Sequence, residues 1–420
     1  ENFRSSSNSR AMARWNLSSW LSHSVTQQPY VPATPAAVRG QVYVQELPAR
    51  FNADVDTRLR FGSGIAYRAS RVLHEFVLSS EARALRAQEA NVIWVPLYTG
   101  FVGQRRILNH ASKLQEVDAA LQHLPHWPSR QADHIFVVEM DRGRCFQSGL
   151  NVRDRFGSAM VLMYEGTRTF GRVYEQDEHG RVTGSVRSTN CCFCRKHDLV
   201  IPPLVSVGRY MAQAHPRALA DAFSSRWPRR SFWERRSVLA NFRGDPNQSD
   251  WRRPNVRRLI LQHVASTGAK EGNDLHAPQR LRVRLVGPGK KGSVRQAEYL
   301  AELLESVFCL CPEGWAHWTP RFFEAIQTGC VPVLFPGDDG DSNELPFSRW
   351  VDYASFVVYV RPARIATLQA TLHAVAADRA GLRLRQRALW KYRSMLDWTD
   401  TGHEGAFHTL LSEIAARRAL

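Results

Sequence analysis

Long hydrophobic runs are missing from this chain of 420 residues. No window of about 18 apolar residues occurs, so the sequence contains no candidate transmembrane helix. Strings typical of zinc fingers or RNA-recognition motifs are also missing, and no tight lysine–arginine run alternates with aromatic residues, which argues against a dedicated nucleic-acid binder. Cysteine is scarce, with 7 residues, and the cluster Cys191-Cys192-Phe193-Cys194 lacks the paired CxxC spacing of structural zinc sites.

Acidic residues are too few to balance the basic ones. The chain has 56 Lys+Arg against 39 Asp+Glu, a formal net charge of +17, and the excess is mainly arginine. Such a field attracts nucleotide diphosphates, acidic polysaccharides, nucleic acids or membrane headgroups, and it does not choose among them. A hydrophobic content of 44% and a length sufficient for two ordinary domains indicate a globular protein with a sizeable core.

Residues 1–38 differ in composition from the rest of the chain. They are rich in Ser, Arg, Asn and Gln and show no apolar periodicity, which predicts a poorly ordered stem or linker. The chain begins with Glu1 rather than methionine, so we expect a fragment that lacks a leading segment and any membrane anchor within it. Sequons at Asn16 and Asn247 are compatible with a secretory lumen.

A strand–loop–helix–strand unit lies between Phe308 and Phe347. The apolar run that begins at Phe308 predicts a buried strand, and a second strand begins at Val331. Thr319 followed by Pro320 predicts a helix start, because a hydroxyl suits the N-cap and proline suits the first helical position. Gly329 predicts the end of this helix. In open α/β sheets ligands collect beyond the carboxyl ends of the strands, so we expect the loop before the helix to face a ligand.

The same unit resembles a known family. The string CLCPEGWAHWTPRFFEAIQTGCVPV, completed by Leu345-Pro346-Phe347, resembles the donor-side signature of exostosin-like glycosyltransferases (family GT47), above all the plant xylan xylosyltransferase group. The opening phrase VYVQELPARFN and the triplet Phe242-Arg243-Gly244 resemble the family as well, and the motifs follow one another in the family's order over roughly residues 41–361.

The resemblance implies an α/β fold of GT-B type, with two Rossmann-like domains facing a cleft and helices at the C-terminus. We expect an acceptor-side domain over 39–205, a linker over 206–230 and a nucleotide-sugar-binding domain over 231–420. The segment 174–187 is polar and contains glycines, which predicts a loop.

The implied activity is inverting transfer of a pentose or hexose, with xylose favoured, from a UDP-sugar to a hydroxyl of a polysaccharide or glycoprotein glycan. The UDP-sugar is a co-substrate, and neither a cofactor nor a metal is expected. The partners are the nucleotide sugar and the glycan acceptor, not a nucleic acid, and assembly with itself or with a related transferase is left open. The location implied is the Golgi lumen, as a type II membrane protein.

The donor-site residues are carried over by position. Arg243 and Arg321 are expected to neutralise the diphosphate, because guanidinium groups bind phosphate oxygens bidentately. Glu324 is expected to hold ribose or sugar hydroxyls, and Trp315 to line the site. Further positions expected at this site are Gly244, which allows close backbone approach, and Thr319. The alternative is that Arg321 and Glu324 form a surface helix pair and that Trp315 and Trp318 only pack the loop.

The catalytic base is expected from the first domain. Asp141 follows an apolar strand at its carboxyl end and is the candidate to take the proton of the attacking hydroxyl, with Glu139 as a weaker candidate. Met140 stands where the family usually has histidine, so a non-catalytic glycan-binding or assembly partner remains an alternative. A basic nucleic-acid binder is a third alternative, which predicts strong salt-dependent binding to DNA or RNA and no response to UDP. A transferase must bind UDP, whereas a non-catalytic partner need not.

The cysteines carry two expectations. Because related enzymes have cysteines near both places, the resemblance favours a disulfide between Cys145 and one member of the Cys191–Cys194 cluster. Cys309, Cys311 and Cys330 are interpreted as buried core thiols.

Overall fold

The computed structural model describes residues 36–53, 65–99, 110–139, 141, 143–144, 153–167, 173–176, 182–186, 193–205, 207, 233–234, 236–247, 254–266, 281–285, 296–314, 316–337, 343–400 and 402–418. The predicted stem falls on residues 1–35, outside this set, and on a 3₁₀ turn at Ala36–Val38. Residues 208–232 are also outside it, so the predicted domain boundaries stay predictions. No helix in the described part of the chain is long and apolar enough to cross a membrane.

The first half of the described chain forms a six-stranded sheet in the order β2-β1-β3-β4-β5-β8, with every neighbouring pair parallel. Its strands are β1 (Val42–Val44), β2 (Arg83–Ala84), β3 (Val92–Trp94), β4 (His134–Val138), β5 (Met160–Met163) and β8 (Leu199–Val200). The helices of this half are α1 (Ala69–Ser79), α2 (His110–Leu121) and α3 (Arg153–Phe156). Strand β4 is buried along its whole length, as expected of a parallel strand covered on both faces.

The second half forms a five-stranded parallel sheet in the order β10-β9-β11-β12-β13. Its strands are β9 (Val238–Gly244), β10 (Leu281–Leu285), β11 (Ser306–Leu310), β12 (Val331–Leu334) and β13 (Val358–Tyr359). The helices are α4 (Val256–Ser266), α5 (Gln296–Glu305), α6 (Pro320–Thr328), α7 (Leu368–Ala377), α8 (Arg379–Tyr392) and α9 (Ala406–Arg418), with a 3₁₀ segment at Pro362–Thr367 before α7. Two parallel α/β sheets with C-terminal helices confirm the predicted GT-B class.

Helix α6 begins and ends where the sequence predicts. Thr319 is the N-cap in extended conformation and Pro320 is the first helical residue. Gly329 adopts the left-handed conformation with φ of 72°, and its N–H bonds to the carbonyls of Ala325 and Ile326. Glycine is favoured at such a C-cap because it carries no Cβ.

The C-terminal helix returns to the first sheet. In α9, the ring of Phe407 stacks on Phe76 of α1 with centroids 5.0 Å apart. Ahead of the helix, the indole N–H of Trp398 donates to the carbonyl of Pro202 at 2.7 Å. One hydrophobic core therefore contains residues of both halves, and it fixes the second sheet relative to the first.

Two predictions about local structure are wrong. The segment predicted as a loop contains an antiparallel hairpin of β6 (Val173–Gln176) and β7 (Val182–Val186), because each short run contains β-branched or aromatic residues that suit strand pairing. Cys309 and Cys330 are disulfide-bonded rather than free thiols, since the two residues lie beside one another on β11 and just before β12. Cys311 is a free buried thiol, as predicted. Cys194 is disulfide-bonded, but Cys145 lies outside the described residues, so their pairing stays a prediction.

Candidate functional site

A cavity of about 240 Å³ lies at the carboxyl ends of β11 and β12. Its lining comes mainly from the loops after these strands, and Tyr164 of the first half also lines it. The volume is just below the range of about 300–1,000 Å³ that is usual for small-molecule sites, so the cavity suits part of a larger ligand. Its position is the one where ligands collect in open parallel sheets.

Thr319 belongs to the lining of this cavity. Its side chain makes no capping hydrogen bond to α6, although it occupies the N-cap position. The hydroxyl therefore does not serve as the helix cap, and the residue that carries it lines the cavity. Of the predicted donor-site residues with a described position, Thr319 lines the cavity, whereas Arg243, Gly244, Arg321 and Glu324 are not among its described lining residues.

A buried hydrogen-bond network joins the two halves beside the cavity. The backbone N–H of His317 donates to Oε2 of Glu165 at 3.0 Å. The hydroxyl of Thr167 donates to Oε1 of Glu165, and its oxygen lies 2.6 Å from Nδ1 of His317. Since the hydroxyl hydrogen goes to the carboxylate, the oxygen accepts from Nδ1–H, which fixes the proton of the imidazole on Nδ1.

Asn343 completes this network from the far side of the cavity. Its side-chain amide donates to the carbonyl of His317 at 2.7 Å and accepts from the N–H of Gly166 at 3.1 Å. The N–H of Glu344 donates to the carbonyl of Gly166 at 3.1 Å. The wall of the cavity is thus held by bonds between segments that are far apart in the sequence.

The Glu165 carboxylate is fully buried at the centre of the network. Burial acts to raise the pKa of Glu165, but the charge of His317 and the hydrogen bonds from His317 and Thr167 hold this pKa below its ordinary value. The network therefore favours the ionised carboxylate.

Arg321 lies next to the cavity but is bonded within the protein. Its Nε donates to the carbonyl of Leu310 at 2.9 Å, and its Nη1 donates to the carbonyl of Arg243 and the hydroxyl of Tyr299. Its Nη2 donates to the carbonyl and the side-chain oxygen of Asn241. All five N–H groups of the guanidinium thus have partners, so Arg321 would act on a diphosphate through its charge.

Glu324 accepts a hydrogen bond from the Tyr299 hydroxyl at 2.6 Å. Burial raises the pKa of Glu324, and the Tyr299 hydrogen bond and the charge of Arg321 offset this only in part. Burial and the charge of Glu324 raise the pKa of the Cys311 thiol to about 12, although the charge of Arg321 acts to lower it. Because Cys311 lines the cavity, Arg321 and Glu324 lie within electrostatic reach of a ligand there. Their donor-binding roles stay predictions.

Arg243 is the penultimate residue of β9, and its side chain contacts α5. Its Nη2 lies 2.7 Å from Glu302 and 3.3 Å from Glu298, and its side chain is 8% exposed. The other nitrogens, Nε and Nη1, are buried and have no hydrogen-bond partner in the described part of the chain. An added Cβ on Gly244 would lie 2.8 Å from the Phe242 ring, so packing alone accounts for the glycine.

Arg257 on α4 was missed by the sequence analysis as a member of this cluster. Its Nε donates to the carbonyl of Glu313 at 3.0 Å and its Nη1 to the carbonyl of Asp245 at 3.1 Å. Burial, together with the charge of Arg321, lowers the pKa of Arg257 to about 10. Three arginines thus lie at the carboxyl edge of the second sheet.

In the first half, Asp141 is half-buried, and its carbonyl accepts from the indole N–H of Trp318 at 3.2 Å. This bond places Asp141 at the boundary between the two halves, and its role as base stays a prediction. Glu139 has a structural role, because its Oε1 accepts from the N–H of Ser70 in the first turn of α1 at 2.7 Å.

Several expectations fall on residues outside the described set, including Trp315 and Met140. The sequence also contains two Asp-x-Asp strings, 54–56 and 339–341, and both lie outside the described residues. In the part of the chain with described positions, no cluster of three or more metal-ligating side chains occurs. Metal independence stays a prediction.

Sequence reasoning missed Glu165, Thr167 and Asn343. Glu165 lies two residues after the buried strand β5, and a position soon after a buried strand is the same signal that selected Asp141 after β4. The loop that contains His317 was identified, but its partners were not.

The exostosin GT47 domain model matches residues 36–375. A probable glucuronoxylan glucuronosyltransferase of Arabidopsis thaliana is 29% identical over 359 residues, which are 80% of this chain and 64% of that protein. A probable glucuronosyltransferase of Oryza sativa subsp. japonica is 28% identical over 368 residues, 83% of this chain and 72% of that protein. A solved structure of Anabaena HepE in complex with UDP aligns with a TM-score of 0.36 at 10% identity, over 90% of this chain and 99% of that one.

Proposed function

Since this chain belongs to the exostosin GT47 family, we propose that it is a glycosyltransferase that moves a sugar from a UDP-sugar to a hydroxyl of a glycan, with inversion and without a bound metal. The matched relatives are named as glucuronosyltransferases, and the matched segment covers less than two thirds of the length of the Arabidopsis protein. The activity of this chain is therefore proposed from the family and from its own site.

The observation that supports the proposal most is the cavity at the carboxyl ends of β11 and β12. Thr319, whose hydroxyl does not cap α6, and Tyr164 of the other half both line it. A transferase of two halves binds its donor on one and its acceptor on the other, so a cavity between them is where the sugar would be transferred.

The residues around the cavity supply the chemistry that an inverting transfer needs. In such a step the acceptor oxygen bonds to the anomeric carbon as the bond to the UDP oxygen breaks, and a base takes the acceptor proton. Asp141 is proposed as this base. The charges of Arg243, Arg257 and Arg321 would stabilise the diphosphate as it leaves, because fixed positive charge in a buried site acts where negative charge develops.

The donor sugar is narrowed to two candidates. The motif resemblance favours UDP-xylose, and the names of the relatives favour UDP-glucuronic acid. The acceptor is proposed to be a polysaccharide or a glycoprotein glycan.

The Cys309–Cys330 disulfide supports a location in an oxidising lumen such as the Golgi. Disulfides persist in secretory compartments and are rare where thiols are kept reduced.

The test combines UDP binding by calorimetry with a transfer assay over a panel of UDP-sugars, with and without a chelator. Thr319→Val keeps the shape of the side chain and removes its hydroxyl, which we propose bonds to the donor, so we expect donor affinity to fall about two- to tenfold, the loss of one hydrogen bond. Thr371→Val is the matched control, because the Thr371 hydroxyl bonds to the carbonyl of Thr367 at 3.0 Å, away from the cavity.

A wild-type chain that binds no UDP and transfers no sugar would overturn the proposal. That result, together with binding to the acceptor glycan, is what the non-catalytic partner alternative predicts. Equal donor affinities of the wild type and Thr319→Val would remove the cavity from the donor site.

A further inference from the structure

A second and larger cavity, of about 1130 Å³, lies at the opposite edge of the second sheet. Val238 and Val307, at the amino ends of β9 and β11, contribute to its floor, and α8 forms one side. The strands of a parallel sheet all run the same way, so this cavity is separated from the donor cavity by their length. We call it the distal groove, and the described residues that define it are Trp233, Val238, Arg379, Arg383, Gln386 and Arg387.

Three arginines line one side of the distal groove. Arg379, Arg383 and Arg387 follow one another at intervals of four residues on α8, so they lie on one helix face with a rise of about 6 Å between neighbours. All three side chains are exposed, and none forms an ion pair with an acidic residue in the described part of the chain. Like charges at this spacing destabilise a helix, so the row carries a cost that a bound anion would remove.

Gln386 marks the inner wall of the groove. It is only 5% exposed, and its side-chain amide makes no hydrogen bond within the described residues. Its amide oxygen and nitrogen are not among the buried unpartnered polar atoms of the described residues, so they meet the open groove, where a ligand with hydroxyl groups would supply both a donor and an acceptor to them.

The aromatic residues of the groove do not form a stacking platform. Trp233 and Trp390 contact each other edge to face with centroids 5.9 Å apart. The Cζ of Arg236 lies 5.4 Å from the centroid of the Trp233 ring, and the Cζ of Arg393 lies 4.3 Å from that of Trp390. Single-stranded nucleic acids are bound by open aromatic faces on which bases stack, so these covered rings disfavour a nucleic acid.

We propose that the distal groove binds an acidic polysaccharide chain, whose carboxylates pair with Arg379, Arg383 and Arg387 and whose hydroxyls bond to Gln386. Guanidinium groups match carboxylates bidentately, and a row of them along a helix suits a polymer that carries a carboxylate on successive sugars. The acidic side chain of Glu234 also lines the groove, and with four arginines in the lining the net charge stays positive. The site is separate from sugar transfer and would hold the polymer on the enzyme between reactions.

The experiment measures binding of a fluorescently labelled oligogalacturonide to the full chain by polarisation at several salt concentrations. The triple variant Arg379→Gln/Arg383→Gln/Arg387→Gln is expected to bind the oligogalacturonide at least about tenfold more weakly than the wild type does. Its affinity should also depend less steeply on salt concentration. The matched control, Lys196→Gln/Arg361→Gln/Arg364→Gln, removes the same charge from exposed positions outside the groove and is expected to bind as the wild type does. Gln386→Leu removes no charge and is expected to weaken binding severalfold.

Equal losses in the groove triple and the control triple would overturn the proposal, because they would show that only the overall charge matters. Equal affinity for a neutral xylo-oligosaccharide would overturn it as well. A single-stranded oligonucleotide that binds more tightly than the oligogalacturonide and is lost in the same variants would show a nucleic-acid site instead. UDP affinity is measured in every variant and is expected to be unchanged, which also confirms that each variant is folded.

Discussion

The backbone N–H of His317 donates to Oε2 of Glu165 at 3.0 Å, and this bond crosses from the second half of the protein to the first. Glu165 is fully buried and also accepts from the N–H of Thr167 at 2.9 Å. The loop before α6 is thus held in place by a carboxylate from the other sheet. Any ligand in the cavity beside it meets walls that are fixed by this bond.

Replacing Glu165 by glutamine is expected to lower the free energy of unfolding by about 1–3 kcal/mol at neutral pH. The amide oxygen still accepts a hydrogen bond, but the NH₂ group cannot accept one from the groups of His317 and Thr167 that donate to the carboxylate. The negative charge next to His317 is also lost. The change is measured by urea unfolding. Glu75→Gln is the control, because Glu75 forms an exposed pair with Arg71 on α1 and is expected to change the free energy by less than about 0.5 kcal/mol.

The contribution of Glu165 to stability is expected to disappear in acid. Its pKa lies below the ordinary value of 4.5, so the stabilising effect is complete above that pH and is lost as the pH falls through the folded-state value. The difference in unfolding free energy between wild type and Glu165→Gln should therefore shrink below about pH 4.5. A difference that grows on acidification would contradict the network described for this residue.

Glu324→Gln is expected to raise the thermal stability at pH 8 while lowering sugar transfer. Burial raises the pKa of Glu324, so ionisation costs stability as the pH rises, and a neutral amide avoids this cost. The amide oxygen can still accept from Tyr299. The melting temperatures of the two proteins should converge at about pH 4, where the wild-type carboxyl is protonated. A variant with full transfer and unchanged UDP affinity would refute the donor-site role of Glu324.

Much of the fold was predictable because local signals and tertiary structure agree. Helix α6 begins at Pro320 and ends before Gly329, as the backbone preferences of these residues require, and the apolar run of β4 is buried throughout. The hairpin of β6 and β7 was missed because polar residues and glycines between two short runs resemble a loop. The Cys309–Cys330 bond was missed because it depends on how β11 aligns with β12, which the sequence does not show.

The candidate site was predictable in position but not in its bonds. The sequence indicates that Arg321 lies at the start of a helix beyond a strand, but not that main-chain carbonyls of β9 and β11 use its donors. It identifies the loop of His317, but not Thr167 as a partner that is 150 residues away in the chain. Such contacts arise from the packing of two sheets and leave no periodic signal.

Cys311 is expected to resist alkylation in the folded protein. Burial raises its pKa to about 12, so almost no thiolate is present at pH 8, and the side chain is not accessible. Mass spectrometry after iodoacetamide treatment should find Cys311 unmodified in the native state and modified in denaturant. Cys309 and Cys330 should become modified only when the denatured protein is also reduced, because their disulfide must be broken first. Rapid native labelling of Cys311 would show that the loops over the cavity open readily.

The contact between the halves gives a variant that separates donor binding from transfer. An added Cβ on Gly166 would lie 2.0 Å from the carbonyl oxygen of Glu344, and backbone atoms cannot move aside as a flexible side chain can. Gly166→Ala should therefore force the loop of Glu344 away from the first half and weaken the bond from Asn343 to Gly166. Since both sheets keep their own cores, we expect UDP binding to the second half to persist. Sugar transfer should fall at least tenfold, because misplaced reacting groups react that much more slowly.

The control is Gly402→Ala, whose added Cβ would be 3.0 Å from the side chain of Asp400, away from the contact between the sheets. Full transfer activity in Gly166→Ala would show that this contact does not shape the catalytic site.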